Sequence, residues 1–285
     1  MIDFIKYRFW YLGFSLVIIT VGLLFVLTKG FVYSLDFIGG GLIEFAANTT
    51  KTNSAEKLVA TKYPKLEFQT TSTGFIVRST NLNKQTADKI AKTISQEAKV
   101  KKTRFELVGP SVSQGNIYKI LTAMLLAVFG ILFYVAFQFK QWQFGLASII
   151  ALVHDSLVLT GLWSILGYFF GFELDVLFVT ALLTTMSFSV HDTIVIFDKV
   201  QEEEKQGSFS QLSKRLNWAL NLTMMRSLNN SLTVVIMLSA LIILGGESTR
   251  SFALSLLIGT LTGTYSSPFV ATPVYYLLAK QKQKT

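Results

Sequence analysis

Six apolar runs, each of about 20 residues, decide what this chain can become. They fall at residues 9–28, 120–139, 142–170, 176–197, 228–244 and 252–279. Each is long enough to cross a hydrocarbon core of about 30 Å, since a helix rises about 1.5 Å per residue. Backbone groups in lipid must be satisfied within their own segment, so each run is expected to be a helix. One such run alone fits a buried helix of a soluble protein. Six in one chain read as an α-helical polytopic membrane protein. Charged residues are only 15% of the chain, against about 25% in an average soluble domain. A soluble enzyme is thereby excluded, and the apolar content excludes a disordered chain. With no Cys and two His there is no disulfide or thiol nucleophile, and little to build a zinc site. No catalytic residue, metal or cofactor is expected, nor any enzymatic activity. The net charge of +9 belongs to topology here, and no nucleic-acid partner is expected.

Short-loop Lys and Arg set the orientation. Lys6, Arg8, Lys140, Lys199, Lys205, Lys214, Arg215, Lys280, Lys282 and Lys284 fall on one side of a six-span arrangement. The opposite short turns hold only Arg250. Both termini are expected in the cytoplasm, in a multi-pass protein of the cytoplasmic (inner) membrane. The first run lacks a small-residue cleavage site and reads as an uncleaved anchor. The chain then divides into an N-terminus with span one (1–28), an extracytoplasmic domain (29–119), spans two to six (120–279) and a cytoplasmic tail (280–285). Long loops cross largely regardless of charge, so the many Lys of 29–119 are no objection.

The outer segment patterns as a small α+β domain. Strands are expected at 37–46, 66–70, 75–80 and 102–108, with a hairpin about Thr73-Gly74. Helices are expected at 54–62, with Ser54 as N-cap, and at 84–98, with Ala87, Ile90, Ala91 and Ile94 on one face. This β-α-β-β-α-β order is the ferredoxin-like split unit.

Charge at mid-span costs at least about 2.5–3.5 kcal/mol, so it normally has a partner or a task. His154-Asp155, His191-Asp192 and Arg226 are the residues in question. Asp192 lies six residues before Asp198 at the expected cytoplasmic rim, roughly 9 Å inside. Arg226 lies four residues beyond Leu222, roughly 6 Å inside the same boundary, so an Asp192–Arg226 pair is feasible. Asp155 is 13 residues beyond Trp142, roughly 20 Å deep, which disfavours contact with Asp192. Asp192 can act as a switchable proton site, since desolvation favours the neutral carboxyl and a guanidinium the charged one. It can equally be half of a fixed ion pair that locks the bundle. His154 and His191 titrate near neutral pH or serve as neutral hydrogen-bonded rings. Asp198 and Lys199 read as interfacial, and Glu202, Glu203, Glu204 and Lys205 as a solvated helix face.

Gly259 and Gly263 form a GxxxG that permits close helix approach. Pro268 and Pro273 imply a kinked last span. Gly39-Gly40-Gly41 lacks the Lys-Ser/Thr of a phosphate loop. No Walker sequence occurs, so transport work must draw on an ion gradient or on a partner's ATPase.

Six segments resemble, in order, the SecF family of the bacterial Sec accessory translocase, within the resistance-nodulation-division superfamily. Ser34–Gly40 carries D-F-x-G-G through Asp36, Gly39 and Gly40; Val108-Gly109-Pro110 is similar to V-G-P. Ala151–Asp155 resembles A-x-x-H-D, and Ser189–Lys199 resembles S-x-N-D-T-x-V-x-F-D-R. Thr223–Ser227 is similar to T-x-x-R-[ST], and Gly263-Thr264-Tyr265-Ser266-Ser267 to G-T-Y-S-S. The resemblance implies a non-enzymatic subunit working beside SecD, with the SecYEG channel, the SecA ATPase and unfolded preprotein as further partners in the bilayer. It implies use of the proton-motive force, with Asp192 and Arg226 in proton conduction. His191 departs from the family's Asn, Phe188 from its Tyr and Lys199 from its Arg. His191 thus places a second titratable group beside Asp192, and the two can titrate as a unit. Two rival functions remain at this level: half of a small-molecule exporter of the same superfamily, or a non-conducting scaffold of the translocon.

Overall fold

A computed structural model describes residues 3–71, 74–79, 82, 84–108, 110–139, 141–207 and 209–282. Two compact units result, one of Met1–Val32 with Ala123–Thr285 and one of Tyr33–Thr122.

In the smaller unit, a helical turn α2 (Leu35–Ile38) leads into β1 (Gly40–Ala46). There follow α3 (Thr49–Lys62), β2 (Glu67–Thr71), β3 (Gly74–Ser79), α4 (Lys84–Glu97) and β4 (Lys101–Val108). The sheet order is β2-β3-β1-β4, antiparallel throughout. This is the β-α-β-β-α-β order read from the sequence. Strand alternation explains the core: Ile43 and Phe45 of β1 pair in register with Val77 and Phe75 of β3. All four are buried with Ala55 and Val59 of α3 and with Ala87, Ile90, Ala91 and Ile94 of α4. The Phe75 ring stacks between Phe45 and Phe68, each centroid 4.9 Å away.

Two local expectations are corrected. The first strand does not begin at Phe37, because Gly39 and Gly40 take φ of +70° and +114° and separate a helical turn from the strand. Only glycine adopts such angles cheaply, which gives the D-F-x-G-G segment a backbone reason. Helix α3 starts five residues before Ser54, whose hydroxyl donates to the Thr50 carbonyl instead of capping. The hairpin tip at Thr73 and the residue Gly109 lie outside the described residues.

In the larger unit, α1 (Arg8–Lys29) is followed by α5 (Pro110–Gln138), within which the unit boundary falls. Then come α6 (Trp142–Phe170), α7 (Val176–Gln206) and α8 (Leu212–Leu244). Among the described residues, five helical segments are long and apolar enough to cross a membrane: Ile5–Lys29, Ile117–Gln138, Trp142–Phe170, Val176–Gln206 and Leu212–Leu244. The last apolar run is composite: α9 (Glu247–Ser266), a π-turn (Ser267–Ala271) and α10 (Thr272–Lys282). Pro268 and Pro273 lack the N–H that a regular helix needs, and the break falls there. The Thr272 hydroxyl donates to the Ser267 carbonyl at 3.0 Å, satisfying backbone inside the turn.

Helices α7 and α8 both outrun their apolar stretches, reaching Gln206 and starting at Leu212. Helix ends therefore do not mark the membrane rim, because a helix continues into water where residues such as Lys205 and Lys214 are solvated. Asp175 caps α7, its carboxylate accepting from Phe178 N–H at 2.7 Å. Replacing Asp175 with Ala is expected to cost about 1 kcal/mol, read as a lower unfolding midpoint in detergent.

Close packing depends on small residues. Cα of Gly22 on α1 lies 2.6 Å from where a Cβ on Gly161 of α6 would sit. On α9, Gly259 lies against Thr185 and Gly263 against Ser189, so the GxxxG is the seat of α7. At one end of the bundle, Phe144 stacks on Tyr275 with centroids 4.0 Å apart and meets the tilted Phe197 ring at 4.8 Å.

Candidate functional site in the helical bundle

His154 and Asp155 lie near the middle of α6, and both side chains are buried, 5% and 3% exposed. Neighbours at i and i+1 do not normally meet on a helix. Here His154 Nδ1 lies 2.9 Å from Asp155 Oδ1. The other carboxylate oxygen lies 2.6 Å from Ser266 Oγ, at the end of α9. Ser267, the next residue, contacts Thr193 Oγ1 at 3.0 Å and the Ser189 carbonyl at 3.4 Å, both on α7. The two serines thus tie α6 on one side and α7 on the other to the π-turn.

Tyr265 completes the G-T-Y-S-S segment. Its hydroxyl donates to the Tyr11 carbonyl at 3.1 Å and accepts from Ser15 at 3.2 Å, holding α9 to α1. Tyr265→Phe is expected to lose both bonds and about 1–2 kcal/mol of stability, measured by thermal unfolding of the purified protein.

Asp192 lies on α7 beside Thr193 and is half-buried. The side chains acting on its carboxylate are Ser227, His191 and Arg226. Among the described residues no Asp192–Arg226 ion pair forms within 4 Å. Comparable depth does not place two residues at the same angle around their helices. His191 and Arg226 are exposed on the surface of this chain, as are Asn229 and Asn230. A cavity of about 20 Å³ lies beside Asp192, its mostly apolar lining drawn from Phe188, His191, Asn230, Ser231, Val234 and Thr264 among others. That is room for about one water.

Asp155 and Asp192 do not touch directly. The structure brings His154, Asp155 and Ser266 together, and separately His191, Asp192, Arg226 and Ser227. Asp36, Gly39 and Gly40 belong to the smaller unit, and Pro110 begins α5.

Two features were not legible in the sequence. Glu203, expected on a solvated face, is only 2% exposed. It follows the buried Val200 by three residues, on the stripe of α7 that faces the bundle. Asn217 of α8 is the second. Its Oδ1 accepts from the N–H of Phe4 and Ile5 at 3.0 and 3.2 Å, and its Nδ2 donates to Asp3 at 2.7 Å. It pins the N-terminal segment to α8.

The family model described as "Protein export membrane protein SecD/SecF, C-terminal" matches residues 87–281. The protein translocase subunit SecF of Thermobaculum terrenum is 36% identical, covering 95% of this chain and 92% of the relative. That of Pseudomonas aeruginosa is 34% identical over 87% of this chain and 81% of its own. The translocase subunit SecDF of Thermus thermophilus is 32% identical over 87% of this chain and 34% of its own. A crystal structure of SecDF from Thermus thermophilus, described as a translocon-associated membrane protein, superposes with a TM-score of 0.88 at 28% identity. That likeness covers 99% of this chain and 39% of the longer one.

Proposed function

The chain belongs to the SecF family of protein-export membrane proteins, and we propose that it couples the proton-motive force to preprotein translocation beside a SecD partner. The observation that carries this reading is the polar face around Asp192. An exposed Arg226 with His191, Asn229 and Asn230 would be costly against lipid tails. A second membrane half covering that face removes the cost. Longer relatives carry the name SecDF, with this chain matching only 34% of one of them, which supports SecD as that half. Asp192 is the group that binds and releases the proton, and Arg226 and His191 are the charges that change its preference as helices move.

In this arrangement SecYEG provides the channel, SecA the ATP-driven step, and the unfolded preprotein the cargo. The chain crosses the inner membrane six times with both termini in the cytoplasm, the last crossing being the composite of α9, the π-turn and α10. Its chemistry is proton binding and helix movement, and no covalent step is assigned to it.

The test is preprotein export into inverted vesicles holding SecYEG, SecA and SecD, with and without this chain and with and without a proton gradient. The expected result is a gradient benefit that appears only when this chain is present. A chain that helps equally with the gradient collapsed would be a scaffold, and the coupling reading would fall.

A further inference from the structure

We propose that the outer face of α1 and the end of α10 bind one anionic phospholipid, its phosphate at Lys6, Arg8 and Lys280 and an acyl chain in the groove beside Gly13. The groove is open, holds about 490 Å³, and is lined by Phe9, Trp10, Gly13, Phe14 and Val17 of α1. The four large side chains are between 59% and 80% exposed. Gly13 is the floor, since a Cβ there would meet nothing within 4 Å. The opposite face of α1 is occupied: Ser15 bonds to Tyr265, and Gly22 lies against Gly161 of α6. The groove therefore faces away from the bundle.

Its length matches one leaflet. Val17 follows Arg8 by nine residues, roughly 14 Å of helix. Half of a hydrocarbon core of about 30 Å is about 15 Å. A lipid with its phosphate at Arg8 lays its chain along the groove and ends near Val17. Tyr7 and Trp10 are both exposed at the Arg8 end, and such rings favour the headgroup level.

Charge at the mouth selects the headgroup. The Arg8 guanidinium lies 4.6 Å from the Phe9 ring and 5.1 Å from the Tyr276 ring of α10. Lys280 Nζ lies over the same Tyr276 ring at 5.8 Å. Arg8 donates to the Ile5 carbonyl at 3.0 Å, which holds the guanidinium in place. Lys6 is exposed beside it. Among the described residues no carboxylate forms an ion pair with Lys6, Arg8 or Lys280. Asp3 is turned to α8, its Oδ1 accepting from Asn217 Nδ2 and from the Lys6 N–H. No acidic residue stands in the first turn of α1, and the positive end of its dipole adds to the cations. A phosphate supplies the missing counter-charge and suits the planar guanidinium. The bias of short-loop cations accounts for their sign. It does not require Arg8 and Lys280 to meet at one ring beside a groove.

A phospholipid fits this face better than a partner helix does. The face around Asp192 is polar and calls for protein, whereas the lining of this groove holds no ionisable side chain. An anionic lipid brings the apolar chain and the phosphate in one molecule. Once bound, its phosphate bridges Arg8 of α1 and Lys280 of α10 and ties the first span to the last. The site stands on its own geometry, whether or not Asp192 couples transport.

Native mass spectrometry of the full chain in detergent, titrated with dioleoylphosphatidylglycerol or dioleoylphosphatidylcholine, tests this. A single phosphatidylglycerol is expected to be retained in preference to phosphatidylcholine. Arg8→Gln and Lys280→Gln should each weaken that retention about fivefold. Gly13→Leu should weaken it at unchanged charge, and the open space at Gly13 lets this variant fold. Glycerol 3-phosphate should not compete, because it lacks the chains. Equal retention of the two lipids overturns the site, as does retention that survives both Arg8→Gln and Gly13→Leu. Loss in the cation variants alone means diffuse surface attraction, and competition by glycerol 3-phosphate means an anion site without a groove; either overturns the proposal. In membranes holding SecD, the photocrosslinking variant Trp10→p-benzoylphenylalanine is expected to capture phospholipid. Capture of SecD instead gives the groove to a partner helix and overturns the lipid assignment.

Discussion

Asp192→Asn is expected to reduce the proton-gradient benefit in preprotein export to that of vesicles lacking the chain. Asparagine has nearly the shape of aspartate and still hydrogen-bonds, so contact with Ser227 and the packing of α7 are retained. It cannot bind and release a proton. A cycle that alternates protonation at this position stops, while a role in packing survives. Arg226→Gln is expected to impair the same step by a different cause, since it removes a positive charge that favours the ionised carboxyl. The check is export with and without the gradient, after both variants have been shown to co-purify with SecD. A gradient benefit that persists in the assembled Asp192→Asn complex places coupling elsewhere.

Gly259→Leu is expected to be the most damaging single substitution in the bundle. A Cβ on Gly259 would lie 2.0 Å from Thr185 Cγ2 and 2.5 Å from Thr185 Cβ. Turning the Thr185 side chain moves its methyl but not its Cβ, so the clash cannot be relieved by a rotamer. Helices α7 and α9 must separate, and α7 carries Asp192 while α9 carries Ser266. Overpacking of this kind costs about 1–3 kcal/mol or more. Even Gly259→Ala should lower the unfolding midpoint measurably. Gly263→Ala meets Ser189 Cβ at 3.4 Å, an ordinary contact, and should be tolerated. The pair of alanine variants, compared by folded yield and thermal unfolding, separates a true seat from a chance GxxxG.

How far the sequence reveals this arrangement depends on the length scale of each interaction. Spans and the small-domain strands were legible because hydropathy and period-two alternation are local. Ala87, Ile90, Ala91 and Ile94 announce the buried face of α4 by spacing alone. The prolines announce an irregular last span, though not the π-turn that Ser267 and Thr272 stabilise. Depth along a helix can be counted, so Asp192 and Arg226 are read at similar levels. Rotation about the axis cannot be counted between helices of unknown packing, and no Asp192–Arg226 ion pair forms among the described residues. For the same reason nothing local links Asp155 to Ser266, 111 residues apart. A run of acidic residues looks uniformly solvated in sequence, whereas Glu203 falls on the stripe of α7 that turns toward the bundle.

The most direct test of the central claim is proton flux itself. The chain and its SecD partner are reconstituted in vesicles with a pH-sensitive dye inside, and an acid pulse is applied outside while preprotein is engaged. Wild type is predicted to carry protons inward, and Asp192→Asn to reduce the rate to that of protein-free vesicles. Equal rates in wild type and Asp192→Asn, with both complexes intact, would contradict a proton-coupling role for this carboxylate.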